Sequence, residues 1–174
     1  MAVLGFGCMR FPTTRGKIDK ERSKELILEA YKQGVNYYDT AYLYFGNEEV
    51  VGEIMEELGI RKEINIATKL PQTMCKSKGA FDQYFAEQKK RLRTDYIDYY
   101  LMHNISSFQQ WENLCELGIE GWIEKKKASG EICRIRFSYH GSQSDFFRIM
   151  DAYDWDFVQI QYNYININYQ AGMK

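Results

Sequence analysis

Asp39 and Tyr44 stand five residues apart in NYYDTAYLYFGNEE, residues 36–49, where an extended segment gives way to a helix starting near Asn47. Lys69 closes the apolar run INIATK (64–69), and His103 closes YIDYYLMH (96–103). An acid, a phenol, an amine and an imidazole are the parts of a proton-transfer site beside a polarised oxygen. A free phenol, with a pKa of about 10, is a poor acid at neutrality unless a cation stabilises its phenolate. A lysine within hydrogen-bond range supplies that cation, and a buried ammonium needs an anion beside it to stay charged, which is a reason to place Asp39 next to Lys69. A neutral His103 can donate to a substrate oxygen and orient it. Taken singly, each residue has a plainer role as helix cap, solvated strand end or structural histidine. A Schiff-base aldolase using Lys69 is the weaker chemistry, because a neighbouring carboxylate keeps that amine protonated and poorly nucleophilic.

These groups need a scaffold that brings strand ends together. Short apolar runs alternate with amphipathic ones: AVLGFGC (2–8) as strand, then DKERSKELILEAYKQG (19–34) as helix with Asp19 as cap and Gly34 as stop. VNYYD (35–39) is the next strand, and NEEVVGEIMEELG (47–59) the next helix, with Val50, Val51, Ile54, Met55 and Leu58 at helical spacing. INIATK is the third strand, FDQYFAEQKKRL (81–92) a helix, and YIDYYLMH a strand apolar enough to be buried on both faces. A long helix over 108–128, the strand EICRIRFS (131–138), the helix SDFFRIMDAY (144–153) and the strand DFVQIQYN (156–163) complete six strands and five helices.

Such βα alternation predicts parallel strands with right-handed crossovers. A doubly wound dinucleotide fold needs a third glycine and a helix directly behind the first strand, and LGFGCMRF has only Gly5 and Gly7. The (β/α)8 barrel fits better, and it gathers functional groups at the C-terminal ends of its strands. Those ends carry Gly7 and Cys8, Asp39, Lys69, His103, Ser138 and Gln159.

The motifs LGFGCMRFP, NYYDTAYLYFGNEE, ATKLP, RLRTDYIDYYLMHN and IRFSYHG, in this order, resemble those of the aldo-keto reductases, and the likeness runs through essentially all 174 residues. The resemblance implies a catalytic tetrad of Asp39, Tyr44, Lys69 and His103, with Tyr44 the general acid that protonates a carbonyl oxygen as NADPH, or alternatively NADH, reduces its carbon. It also implies that Ser138 and Gln159 hold the nicotinamide carboxamide and that Gly7, Cys8 and Met9 line the cofactor. Tyr139 stands where many relatives have Asn. The wording after residue 153 is similar to a bacterial branch whose barrel is followed by a ferredoxin-like tail. By this likeness the chain is a single-domain, incomplete barrel, residues 1–174, without strands seven and eight and without an iron–sulfur tail or cluster. Two functional expectations follow: a carbonyl reductase, or a catalytically silent nicotinamide-binding or regulatory module, with an open barrel edge that favours self-association.

The totals narrow the partners. Lys and Arg number 23 against 24 Asp and Glu, for a net charge of −1, so no basic footprint favours nucleic acid or an anionic membrane. No run reaches the length of a membrane span and the N-terminus lacks a secretory pattern, so a cytoplasmic location and a small carbonyl substrate are expected. Cys8, Cys75, Cys115 and Cys133 show no paired spacing and read as reduced thiols, mostly buried, with no metal site. Tyr37, Tyr38, Tyr99, Tyr100, Trp111 and Trp122 read as packing residues.

Overall fold

Parallel pairing carries the chain from strand to strand around a curled sheet. The computed structural model describes residues 2–168 and 170. In chain order the elements are β1 (Phe6–Gly7), β2 (Thr13–Thr14), β3 (Lys17–Ile18), α1 (Lys20–Lys32), β4 (Tyr37–Asp39), α2 (Asn47–Leu58) and β5 (Asn65–Leu70). There follow α3 (Lys78–Leu92), β6 (Ile97–Ile105), α4 (Phe108–Glu116), α5 (Ile119–Ala128), β7 (Ile132–Tyr139), α6 (Gln143–Ala152) and β8 (Phe157–Ile160). Six strands form one parallel sheet in the order β1-β4-β5-β6-β7-β8, and β2 pairs β3 as a separate antiparallel hairpin. The result is a half-barrel with its helices on the outer face.

Local chemistry accounts for the boundaries. The Asp19 carboxylate accepts from the Arg22 amide at the start of α1, and the Ser142 hydroxyl accepts from the Asp145 amide at the start of α6. Side chains then alternate across each strand. Ile66, Leu70, Tyr100, Met102, Ile135 and Phe137 are buried with Ile27, Ile54, Met55, Phe81, Phe85 and Ile123 in the layer between sheet and helices. Trp111 and Trp122 belong to the same layer. The inner face instead gathers Tyr37, Asp39, Lys69, Tyr99, Arg136 and Phe157.

Several expected boundaries move. Only Phe6 and Gly7 of the first expected strand pair with a neighbour, and the last strand is cut to four residues. The long helix over 108–128 is two helices, because Gly118 takes φ 82°, a left-handed conformation available to glycine at little cost, and turns the chain between α4 and α5. The hairpin β2–β3 was not expected; its turn uses Arg15 and Gly16, both at positive φ, and Arg-Gly is a weaker hairpin signal than Asn-Gly. Of the four free cysteines only Cys8 and Cys75 are buried, while Cys115 is half-buried and Cys133 exposed.

Candidate active site

Strand alternation decides which polar groups reach the barrel mouth. On β5, Thr68 faces the helices and Lys69 faces inward. Lys69 is 2% exposed, and its ammonium donates to Asp39 Oδ1 at 2.6 Å and to the Thr40 carbonyl at 2.8 Å. Burial lowers the Lys69 pKa, opposed chiefly by the Asp39 charge. The loop after β4 then swings Tyr44 over this pair, so that Nζ of Lys69 lies 5.0 Å from the Tyr44 ring centroid. The His103 ring meets Tyr44 edge-on, with centroids 5.7 Å apart. The structure therefore brings Asp39, Tyr44, Lys69 and His103 into one cluster.

Two details differ from expectation. Lys69 stands over the face of Tyr44 and spends its hydrogen bonds on Asp39 and Thr40, and the Tyr44 hydroxyl has no hydrogen bond to a described residue. Burial, with Asp39 and Cys8 adding to it, pushes the phenol up to about 12. His103 does not close its strand, because β6 continues to Ile105 through an irregularity between Met102 and Ile105 where Asn104 adopts φ 53°. Burial and the charge of Lys69 lower His103 to about 4, which makes it a neutral imidazole at neutral pH. Its Nδ1 is buried without a partner.

The expected cofactor residues divide. Ser138 and Gln159 are direct cross-strand partners on β7 and β8. Ser138 Oγ accepts from the Asn104 amide at 2.7 Å, which fixes it, whereas Gln159 Oε1 is buried with no partner. That orphaned acceptor beside a fixed hydroxyl suits a carboxamide, whose N–H groups donate and whose oxygen accepts. Gly7 is exposed at the end of β1, Met9 is 56% exposed, and Cys8 is fully buried with a thiol pKa raised by burial. Tyr139 points into the helix layer, where its hydroxyl donates to the Ser142 carbonyl at 2.6 Å, so it takes no part in the mouth.

Two buried polar positions near the site were not singled out from the sequence. Arg136 is 2% exposed beneath the mouth. Its guanidinium carbon lies 3.3, 4.1 and 5.0 Å from the ring centroids of Phe157, Tyr99 and Tyr37. On the outer side of β5, Gln88 Nε2 donates to the Lys69 carbonyl at 3.0 Å and to Glu48 Oε1 at 2.9 Å, while Tyr100 Oη donates to Gln88 Oε1 at 2.7 Å. Among the described residues no cluster of His, Cys, Asp or Glu could hold a metal, and no helix is long and apolar enough to cross a membrane.

A half-barrel of parallel strands with an Asp, Tyr, Lys and His cluster at its mouth defines a class, and comparison with known proteins agrees with it. The aldo/keto reductase family model matches residues 3–173, and the chain belongs to this family. It is 30% identical over 172 residues to an NADP(+) aldo-keto reductase of Schizosaccharomyces pombe, covering 92% of this chain and 49% of that one. A Bacillus halodurans aldo-keto reductase solved in its holo form superposes with a TM-score of 0.73 at 28% identity, over 91% of this chain and 53% of that one. A Klebsiella pneumoniae aldo-keto reductase in complex with NADPH shares the fold, with a TM-score of 0.72 at 24% identity, over 91% and 53% of the two chains. The chain thus spans about half the length of these relatives.

Proposed function

We propose that this chain carries the catalytic side of an NADPH-dependent reductase that converts an aldehyde or ketone to an alcohol. The observation that carries the reading is the convergence at one mouth of the Asp39–Lys69 pair, the Tyr44 ring against Lys69, and the neutral His103 against Tyr44. Bound NADPH supplies hydride. Tyr44 gives its proton to the carbonyl oxygen, and the Lys69 charge over its ring favours the phenolate left behind. Asp39 and the Thr40 carbonyl hold that ammonium in place. His103, neutral and with an unpartnered nitrogen, positions the substrate oxygen. Gln159 and Ser138 are the groups that suit the carboxamide, while Gly7, Cys8 and Met9 sit along the first strand end, where the family's cofactor passes.

The test is carbonyl-dependent oxidation of NADPH by the chain and by Tyr44→Phe. The wild type is expected to turn over at least one short aldehyde, and Tyr44→Phe to lose activity while its cofactor affinity stays within about twofold; turnover retained by Tyr44→Phe would overturn the assigned role. A second reading, cofactor binding without turnover, is favoured by the lack of a hydrogen bond between Lys69 and the Tyr44 hydroxyl. Saturable NADPH binding with no oxidation across a panel of carbonyls would establish it. Self-association is part of the proposal. β8 pairs only with β7 among the described residues, and its last residue Ile160 and the following Tyr164 and Ile165 are exposed. Light scattering should show a species larger than the monomer.

A further inference from the structure

Among the described residues Arg136 is the one buried charge beneath the mouth that the proposed chemistry does not use. It points inward from the middle of β7, and Leu101 on β6 is the cross-strand neighbour of both Arg136 and Lys69. Two strand spacings, about 10 Å, therefore separate the two backbones. Tyr99, Phe157 and Tyr37 line the guanidinium with ring faces, which attract a cation without neutralising it. Its Nε and Nη2 are buried without partners. Above it, Tyr37 Oη lies 3.5 Å from Asp39 Oδ2, the oxygen that Lys69 does not take.

We propose that Arg136 is a positioning residue for the Asp39–Lys69 pair: a second fixed cation, held beneath the pair by three aromatic rings, that competes with Lys69 for the field of the one carboxylate. The groups facing the two cations are Asp39 and Tyr37 on β4, Cys8 beside β1, Tyr44 in the following loop, Tyr99 and His103 on β6, and each other. Asp39 is the only carboxylate in that set. Tyr37 and Cys8 have pKa values raised by burial and stay neutral. His103 is neutral as well. Burial brings Arg136 down to about 10, so it remains charged at neutral pH, and its charge is among the causes that lower the Lys69 pKa. Two cations sharing one carboxylate leave the Lys69 proton more loosely held than a lone ion pair would.

The inference rests on the reading of Lys69 and Tyr44 as catalytic, but its test needs no turnover. The Cε resonance of Lys69 in carbon-13-labelled protein, assigned by its loss in Lys69→Arg, reports the lysine's titration. In Arg136→Met, removal of a unit charge, taken at the backbone separation of about 10 Å and an effective dielectric of about 20, should tighten proton binding at Lys69 roughly tenfold. Arg136→Lys, which keeps the charge, should leave the titration near its original midpoint. Should the Met variant fail to fold, Arg136→Gln carries the same expectation. A Lys69 midpoint that does not rise when the charge is removed overturns the inference and leaves the tetrad standing. Turnover retained by Tyr44→Phe would refute the tetrad without moving that midpoint.

Discussion

Two buried polar clusters sit back to back across β5, one on the helix side and one at the barrel mouth. On the helix side, Thr68 Oγ1 donates to Glu48 Oε1 at 2.6 Å, Gln88 links Glu48 to the Lys69 carbonyl, Tyr100 orients Gln88, and Arg91 reaches Glu48 Oε2 at 3.2 Å. Every side-chain polar atom in that set has a partner. At and beneath the mouth, one residue further along the strand, His103 Nδ1, Arg136 Nε and Nη2, and Gln159 Oε1 are buried without one among the described residues. A buried polar group left unpaired costs about 1 to 3 kcal/mol. The satisfied cluster holds the backbone bearing Lys69, and under the proposed function the unsatisfied one is where a ligand would supply the missing partners.

That contrast can be broken by substitution on either side. The largest effect is expected at Lys69→Met, which should cut turnover on the order of a thousandfold and also lower Tm, since Asp39 and the Thr40 carbonyl lose their donor; full activity would remove the mouth cluster's claim to function. Gln88→Leu should act on stability instead. It strips Glu48 and the Lys69 carbonyl of a donor and should cost about 2 to 4 kcal/mol in urea unfolding, and a neutral result would show that the helix-side cluster does not hold the strand.

The pH dependence of stability sharpens the comparison, because His103 is held below its usual value of 6.5, to about 4. Between those two values the unfolded chain binds a proton that the folded chain refuses, so this residue's contribution to stability falls as the pH drops through that window and levels off below it. His103→Asn should remove that loss, on the order of 3 kcal/mol, seen as a flatter stability profile from near-neutral to acid pH. The smallest effect belongs to Gln159→Leu. It should weaken NADPH binding about tenfold, the loss of one hydrogen bond, while leaving stability unchanged or slightly raised, since it removes an orphaned acceptor.

Asp39, Lys69 and His103 were legible because polar side chains late in apolar runs stand out against their surroundings, and Tyr44 because it follows Asp39 by five residues in the turn before a helix. The helix-side cluster was legible in principle. Gln88 falls on the stripe Phe81, Phe85, Gln88, Leu92 of α3, a polar residue on a buried face. Arg136 likewise alternates with the outward-facing Ile135 and Phe137, which puts a charge inside a sheet buried on both faces. What spacing could not show is direction. Five residues between Asp39 and Tyr44 place the phenol over the mouth, but the turn decides that Lys69 meets its ring face rather than its hydroxyl. Nor does composition reveal the irregularity at Asn104 that carries β6 past His103, because it depends on a left-handed residue between paired strands.

The most direct test of the account is a titration of the chain with NADPH, following the fluorescence of its three tryptophans and of the cofactor. The account predicts saturable binding that is preserved in Tyr44→Phe and weakened in Gln159→Leu. No binding by a chain that unfolds cooperatively would contradict it, since the unpartnered groups at the mouth would then not be the seat of a nicotinamide.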